Sequence, residues 1–244
     1  LGSAFFKNKL FKSFIVYLYK FSFKKSDLVI FQNNDDKEFF INKNIVTNSN
    51  SLIINGSGID ILKYPYKEFP KINLEINFLY AGRLIKDKGI LDLLNVFKLL
   101  TKKYNNINLI IAGEIDLGNP SAISKKLIHS YESKNIRFLG YVDNIIDLIN
   151  SSHCCILLSY REGLSNFLLQ SASIGRPLIA TNVPGCSELV DKSSGYLCKP
   201  GNLDNIISQI EKFNKIDSNN MKKMGINSRN KIIELYTIES VNSK

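Results

Sequence analysis

Histidine is nearly missing from this chain: only His129 and His153 occur. His129 falls on a helical pattern and His153 beside an apolar run, so both read as structural. No Ser/His/Asp spacing supports a hydrolase triad. Cysteine is scarce as well. Cys154, Cys155, Cys186 and Cys198 form no CxxC and no His-containing metal pattern. The first two lie inside an apolar stretch, and burial in a reducing cytosol is the plain reading. No apolar run reaches the roughly 18–20 uninterrupted residues of a spanning helix, and no signal peptide is recognisable. Acidic residues are outnumbered, 22 against 32 Lys and Arg, which leaves a formal net charge of +10.

That charge favours anionic partners: nucleic acid, phosphorylated ligands or an acidic membrane surface. Nucleic acid is disfavoured, because no helix-turn-helix, RRM or zinc-finger signature accompanies the charge and the lysines are spread along the chain. Phosphate and membrane readings therefore lead. The 244 residues allow one domain plus part of another, and a hydrophobic content of 44% is ample for a packed core.

From Ile76 onward, short apolar runs alternate with longer amphipathic segments. Strands are expected at 77–81, 109–113, 136–140, 153–159, 177–181 and 195–198. Helices are expected at 88–104, 122–134, 145–150, 166–175 and 187–190, with closing helices at 203–213 and 221–235. Strand–helix alternation with wholly apolar strands predicts an α/β fold built on a doubly wound parallel sheet. Such sheets take ligands at the carboxyl ends of their strands. The first seventy residues differ. Leu10, Phe14, Tyr17, Leu18 and Phe21 form an apolar helical stripe within residues 5–25, flanked by Lys9, Lys12, Lys20 and Lys24. A strand at 26–32, a short helix at 35–42 and a strand entering a glycine-rich bend at 53–60 follow.

Two loops carry candidate chemistry. Gly82-Arg83 follows the strand at 77–81, and Lys88 comes five residues after Arg83, so two cations share one strand–helix connection. Lys86 reads as solvent-facing. Further on, Glu162, Gly163 and Leu164 stand where a helix is expected to begin, with unpaired N–H groups and the positive dipole end outward. That is a ready anion site. A carboxylate beside free amides suits a ligand carrying both phosphates and hydroxyls, and a nucleotide sugar is such a ligand.

The ordered set Glu162, Gly163, Gly175, Arg176, Pro177, Pro184, Gly185 and Glu188 resembles the donor-binding domain of retaining glycosyltransferases of family 4, which adopt the two-domain GT-B fold. Their signature is a Glu, seven residues, a second Glu, a small-residue helix, G-[KR]-P, a strand and a P-G-x-x-E turn. This chain departs at the second acidic position, where Gln170 stands. The resemblance implies a Rossmann-like donor domain over 59–235, a partial acceptor domain with the interdomain connection over 1–58, and a C-terminal tail at 236–244. The first strands of an acceptor domain, with their glycine-rich loop, have no counterpart.

The resemblance also implies roles. Arg83 and Lys88 stabilise the leaving diphosphate by charged hydrogen bonds. Glu162 accepts from donor-sugar hydroxyls, and the amides of Gly163, Leu164 and Ser165 face sugar or phosphate. The position of Gln170 binds the ribose diol, here without charge assistance. Gly82 and Gly113 end strands at the cleft, and Tyr141 and Val142, after Gly140, frame the base. Glu188 either contacts the ligand or caps its helix. Glu114 and Asp116 are too weak a pair for a metal, and the family needs none, so neither metal nor other cofactor is expected. Retention is thought to proceed by front-face attack with the donor phosphate assisting, so no protein nucleophile is required.

The expected activity is transfer of a sugar from a nucleotide sugar, UDP-sugar first, to a lipid-linked or surface-polysaccharide acceptor. Two alternatives are a nucleotide-sugar-binding half of a split enzyme, completed by a separate acceptor-domain subunit, and an inactive truncated remnant. The basic, aromatic helix at the start adds an expectation of peripheral contact with an anionic membrane at its cytoplasmic face.

Overall fold

Apolar β-branched and leucine-rich runs too short for helices stack side by side as parallel strands. The computed structural model describes residues 9–54 and 56–243. Residues 5–8, Asn55 and Lys244, which belong to the expected first helix, bend and tail, lie outside the described residues, as do the side chains of Lys9 and Leu10.

The chain opens with α1 (Lys9–Phe23), β1 (Val29–Phe31), α2 (Asn34–Asn42) and β2 (Ser51–Ile53). β1 and β2 pair in parallel, so β1–α2–β2 is a single βαβ unit. Val29, Phe31 and Phe40 form its core with Val16, Tyr19 and Phe23 from α1. Asn33 caps α2 by accepting from the Asp36 N–H, as an N-cap asparagine does.

The second and larger unit comprises β3 (Ile76–Ala81), α3 (Ile90–Lys103), β4 (Ile107–Ala112), α4 (Lys125–His129), β5 (Ile136–Gly140), α5 (Ile145–Ser151), β6 (Cys154–Leu157), α6 (Asn166–Ile174), β7 (Leu178–Thr181), β8 (Gly195–Cys198), α7 (Leu203–Lys215) and α8 (Ser218–Leu235). Its six strands are all parallel in the order β5-β4-β3-β6-β7-β8. This is the doubly wound, Rossmann-like order, with the reversal between β3 and β6. Strands β6 and β7 are buried at every residue, as a parallel sheet covered on both faces requires. Phe78 packs edge-on against Phe97 of α3 and Phe213 of α7, tying both helices to one side. On the other side α6 is almost wholly buried and packs on α8. After α8, Tyr236 is buried and Ile59 exchanges backbone hydrogen bonds with Tyr236 and Ile238, leading into α9 (Ile238–Asn242).

Two helix expectations are corrected. No helix forms at 187–190: Pro184–Leu189 stays in turns held by short-range bonds such as Cys186 N–H to the Val183 carbonyl. The helix expected over 122–134 contracts to α4, because Ala122 bridges to Ile85 and Ser133 to Ile136. The helix expected over 166–175 forms as α6 with Ser165 at its N-cap, which leaves Glu162, Gly163 and Leu164 in the loop before it.

Candidate functional site

Reversal of strand order opens a crevice at the carboxyl ends of β3 and β6, and the loops leaving these strands fill it. Past β3 the chain turns at Gly82-Arg83, and the buried Tyr80 pins that turn by donating from its hydroxyl to the Arg83 carbonyl at 2.9 Å. Burial, and secondarily the charge of Glu162, push the Tyr80 phenol far above its ordinary range, so it stays a donor. A 3-10 turn, Lys86–Lys88, leads to Gly89 at φ 68°. A Cβ at Gly89 would stand 1.9 Å from the Leu158 carbonyl oxygen, so only glycine lets α3 begin against the exit of β6. The Asp87 carbonyl accepts from the Tyr160 N–H at 2.9 Å and from the Ser159 hydroxyl at 3.2 Å. The β3 and β6 loops are thus stapled together.

That staple sets Lys88 beside Glu162, with Nζ 2.5 Å from Oε1 and 2.7 Å from Oε2. The carboxylate is nearly buried, its side chain 10% exposed against 23% for Lys88. Ser165 caps α6 through the Leu168 N–H, and its own N–H donates to the Gly185 carbonyl at 3.0 Å. The expectation that the Ser165 amide faces a ligand is therefore corrected: it is already bonded. The N–H groups of Gly163, Leu164, Asn166 and Phe167 have no acceptor among the described residues. Gly185, at φ 79°, packs on this loop so closely that a Cβ would lie 2.5 Å from the Gly163 oxygen.

Two adjoining hollows share Ala81, Gly82, Arg83 and Phe167. The inner one, about 240 Å³, is lined by Lys88, Glu162, Leu164, Ser165 and Asn166. The outer cleft, about 390 Å³, is lined by Gly113, Glu114, Tyr141, Val142, Ile145 and Gln170. Together they are the size of a small-molecule site. Arg83 borders both but is exposed, and its guanidinium bonds Asp116 at 2.9 Å, so Asp116 holds the arginine at the rim. Gln170 lies on α6, donates from Nε2 to the Tyr64 hydroxyl at 2.9 Å, and leaves Oε1 without a partner among the described residues.

Glu188 lines neither hollow. Its carboxylate accepts from the Gly185 N–H at 2.7 Å and so closes the turn. Between the two roles weighed for it, the structure gives it the backbone one, capping a turn in place of a helix. The histidines stay outside the crevice as expected. His153 is buried against Phe69, with Nδ1 accepting from the Asn77 N–H at 3.0 Å, and His129 pairs with Glu132. All four cysteines are free and buried; burial alone lifts the Cys198 thiol to about 12. Lys86 is exposed.

Sequence reasoning missed Tyr64, Asn33, Asp36 and Arg161. Arg161 pairs with Asp36, and Asn33 Nδ2 donates to the Gly163 carbonyl at 3.3 Å. The partners are 125 and 130 positions apart, and no local spacing signals them.

Fold and crevice define an α/β protein with a Rossmann-like ligand site at its switch point. The chain belongs to the glycosyl transferases group 1 family, whose model matches residues 67–231, and is of the family 4, GT-B type. It is 32% identical over 252 aligned positions to an uncharacterised glycosyltransferase of Methanocaldococcus jannaschii, covering 96% of this chain and 62% of that protein. It is 26% identical over 163 residues to the capsular polysaccharide biosynthesis glycosyltransferase CapM of Staphylococcus aureus, covering 66% and 42% of the two chains. A Campylobacter jejuni N,N'-diacetylbacillosaminyl-diphospho-undecaprenol alpha-1,3-N-acetylgalactosaminyltransferase is 27% identical, covering 84% and 56%. The chain spans about half the length of these curated relatives. Anabaena HepE, solved with UDP and glucose, shares the fold at a TM-score of 0.79 and 17% identity, covering 97% of this chain and 66% of that one.

Proposed function

We propose that this chain carries the donor half of a retaining glycosyltransferase that moves a sugar from a UDP-sugar to a lipid-linked or surface-polysaccharide acceptor. The observation that carries the reading is the pairing of Lys88 with Glu162 beneath four unbonded N–H groups at the sheet's switch point. Cation and amides suit a diphosphate, the carboxylate suits sugar hydroxyls, and the adjoining cleft takes the nucleoside between Gly113, Tyr141, Val142 and Gln170. Arg83 swings from Asp116 to the leaving phosphate. With cation and amides in place, the reading needs no metal. Similarity to CapM and to the Campylobacter enzyme supports a capsular or undecaprenol-linked acceptor, and HepE with UDP supports the base.

The acceptor half is completed by further polypeptide, either on the same protein or on a separate subunit. Among the described residues β1 and β2 form a sheet of only two strands, which is marginal alone and leaves free edges. Phe11, Phe14, Tyr17 and Phe21 are exposed on α1, which packs on the Val29 and Phe31 side of that sheet. Ile30, 55% exposed, points to the opposite side. A membrane plane meets one side of a sheet; polypeptide covers both. No helix among the described residues is long and apolar enough to cross a membrane.

Calorimetric titration with UDP, GDP and ADP in EDTA tests the donor site. Metal-free UDP binding, weakened at least tenfold in Arg83→Ala and Lys88→Ala, is expected. No binding to any of the three by a folded chain identifies an inactive remnant and overturns the reading.

A further inference from the structure

The residues on either side of Glu162 are both held by the first βαβ unit. Before it, Arg161 forms an ion pair with Asp36 on the first turn of α2. After it, the Gly163 carbonyl accepts from Nδ2 of Asn33, a residue only 2% exposed. Asn33 is itself fixed, because its Oδ1 accepts from the Asp36 N–H at 2.8 Å. Gln32 presses on the same peptide, since a Cβ on Gly163 would lie 2.3 Å from its Oε1.

A trans peptide is planar, and its C=O and N–H point in opposite directions. The Gly163–Leu164 peptide directs its C=O at Asn33, so the Leu164 N–H is turned the other way. Leu164 lines the inner hollow with Lys88 and Glu162, and its N–H has no acceptor among the described residues. We propose that Asn33 and Asp36 are positioning residues of the donor site: Asn33 aims the Leu164 N–H at the diphosphate, and Asp36, through Arg161, sets the backbone that carries Glu162. The βαβ unit thereby fixes the geometry at which the terminal phosphate is read. The ligand assignment rests on the donor-site reading above; the clamp itself does not.

Asn33→Asp removes the donor to Gly163 while its carboxylate still caps α2, but it also loses the 3.4 Å bond from Nδ2 to Asp36 Oδ2 and sets two carboxylates together. Asn33→Ser, which keeps a cap acceptor without the added charge, is therefore measured beside it and should show the same loss. UDP and UMP titrations of the full chain read the outcome. The preference for UDP over UMP should fall at least fivefold in Asn33→Asp, with the melting temperature within a few degrees of the unmodified chain. Asp36→Ala should likewise weaken UDP, and the exchanged pair Asp36→Arg with Arg161→Asp should restore affinity to within threefold of the starting protein. A preference within twofold in Asn33→Asp overturns the proposal.

Amide hydrogen exchange supplies a ligand-free reading. The Ser165 N–H, bonded to Gly185 at 3.0 Å, should exchange at least tenfold faster in Asn33→Asp while β3 amides are unchanged. Unaltered Ser165 exchange also overturns the clamp. If the unmodified chain binds no nucleoside diphosphate, the donor-site reading alone fails, and exchange still decides the clamp.

Discussion

Lys88 Nζ contacts both carboxylate oxygens of Glu162, at 2.5 and 2.7 Å, so the cation of the inner hollow is already neutralised by the group proposed to bind the sugar. A diphosphate entering there competes with Glu162 for one ammonium and meets the repulsion of its charge. Glu162→Gln removes that competition while keeping an acceptor of similar shape. Free UDP should bind more tightly by roughly 1 kcal/mol, about fivefold, after allowing for solvent near a pair of this exposure. Sugar transfer by the completed enzyme should fall about a hundredfold or more, the usual effect of deleting a charged transition-state contact. Calorimetry and a transfer assay on one preparation separate the two. Weaker UDP binding by a folded Glu162→Gln protein would show that the carboxylate does not oppose the phosphates.

Arg176 makes a structural prediction from the same motif. Fully buried, it donates to the carbonyls of Ile149, Lys67, Gly175, Glu68 and Asn150, and it forms no ion pair with a carboxylate among the described residues. Its charge is solvated by oriented backbone dipoles, and the planar fork is what reaches several carbonyls at once. Lysine keeps the charge and loses most of the bonds. Arg176→Lys should destabilise the fold by about 3 kcal/mol, roughly 6–12 °C in melting temperature for a chain of this size. A shift below about 2 °C on thermal unfolding would mean that the fork is dispensable.

His153 gives the fold a pH dependence. Burial lowers its pKa, the nearby Arg176 charge adds to this, and the Lys71 carbonyl only partly opposes it. The folded protein therefore holds the ring neutral, with Nδ1 accepting from Asn77, while the unfolded chain protonates near pH 6.5. Between these values the unfolded state binds more protons, so stability rises with pH. The contribution is complete above about pH 6.5 and is lost as pH falls through the lowered folded value. His153→Gln retains an acceptor for Asn77 and should flatten the stability profile below about pH 6.5. An unchanged slope in urea unfolding would place the acid sensitivity elsewhere.

What the sequence disclosed and what it hid divide along physical lines. The sheet was legible because each strand is a short apolar run bounded by turn residues, as in 77–81 and 195–198. Lys88 and Glu162 could be placed at one crevice because each occupies a strand–helix connection of the sheet, Glu162 within an ordered motif. The start of α6 at Asn166 was legible, since Ser165 before it is a favoured N-cap residue. The turn at 184–189 was mistaken for a helix because Glu188 looks like a first-turn acid until Gly185 takes its carboxylate. Arg161–Asp36 and Asn33–Gly163 had no signal at all. Contacts more than a hundred residues apart are set by how two units pack, and local pattern does not encode that.

Gln170 is where the chain departs from its family's pattern, and the structure says how the neutral residue is held. Its Nε2 donates to the Tyr64 hydroxyl, and the backbone of Tyr64 is in turn anchored by Ser173 and Arg229. The amide is thereby oriented, leaving Oε1 as the acceptor on a residue that lines the cleft with Tyr141 and Val142. Glutamate at this position would keep Tyr64, now as donor to one oxygen, and present a charged acceptor with the other. If a ribose lies there, Gln170→Glu should tighten UDP by about 1–2 kcal/mol, the difference between neutral and charge-assisted bonds. The gain should vanish for 2′,3′-dideoxy-UDP, which offers the new carboxylate no hydroxyl. An equal gain for both nucleotides would assign the effect to packing, and a loss for both would mean that the carboxylate repels the diphosphate. Only a gain confined to the ribose nucleotide places the sugar of the nucleoside against α6.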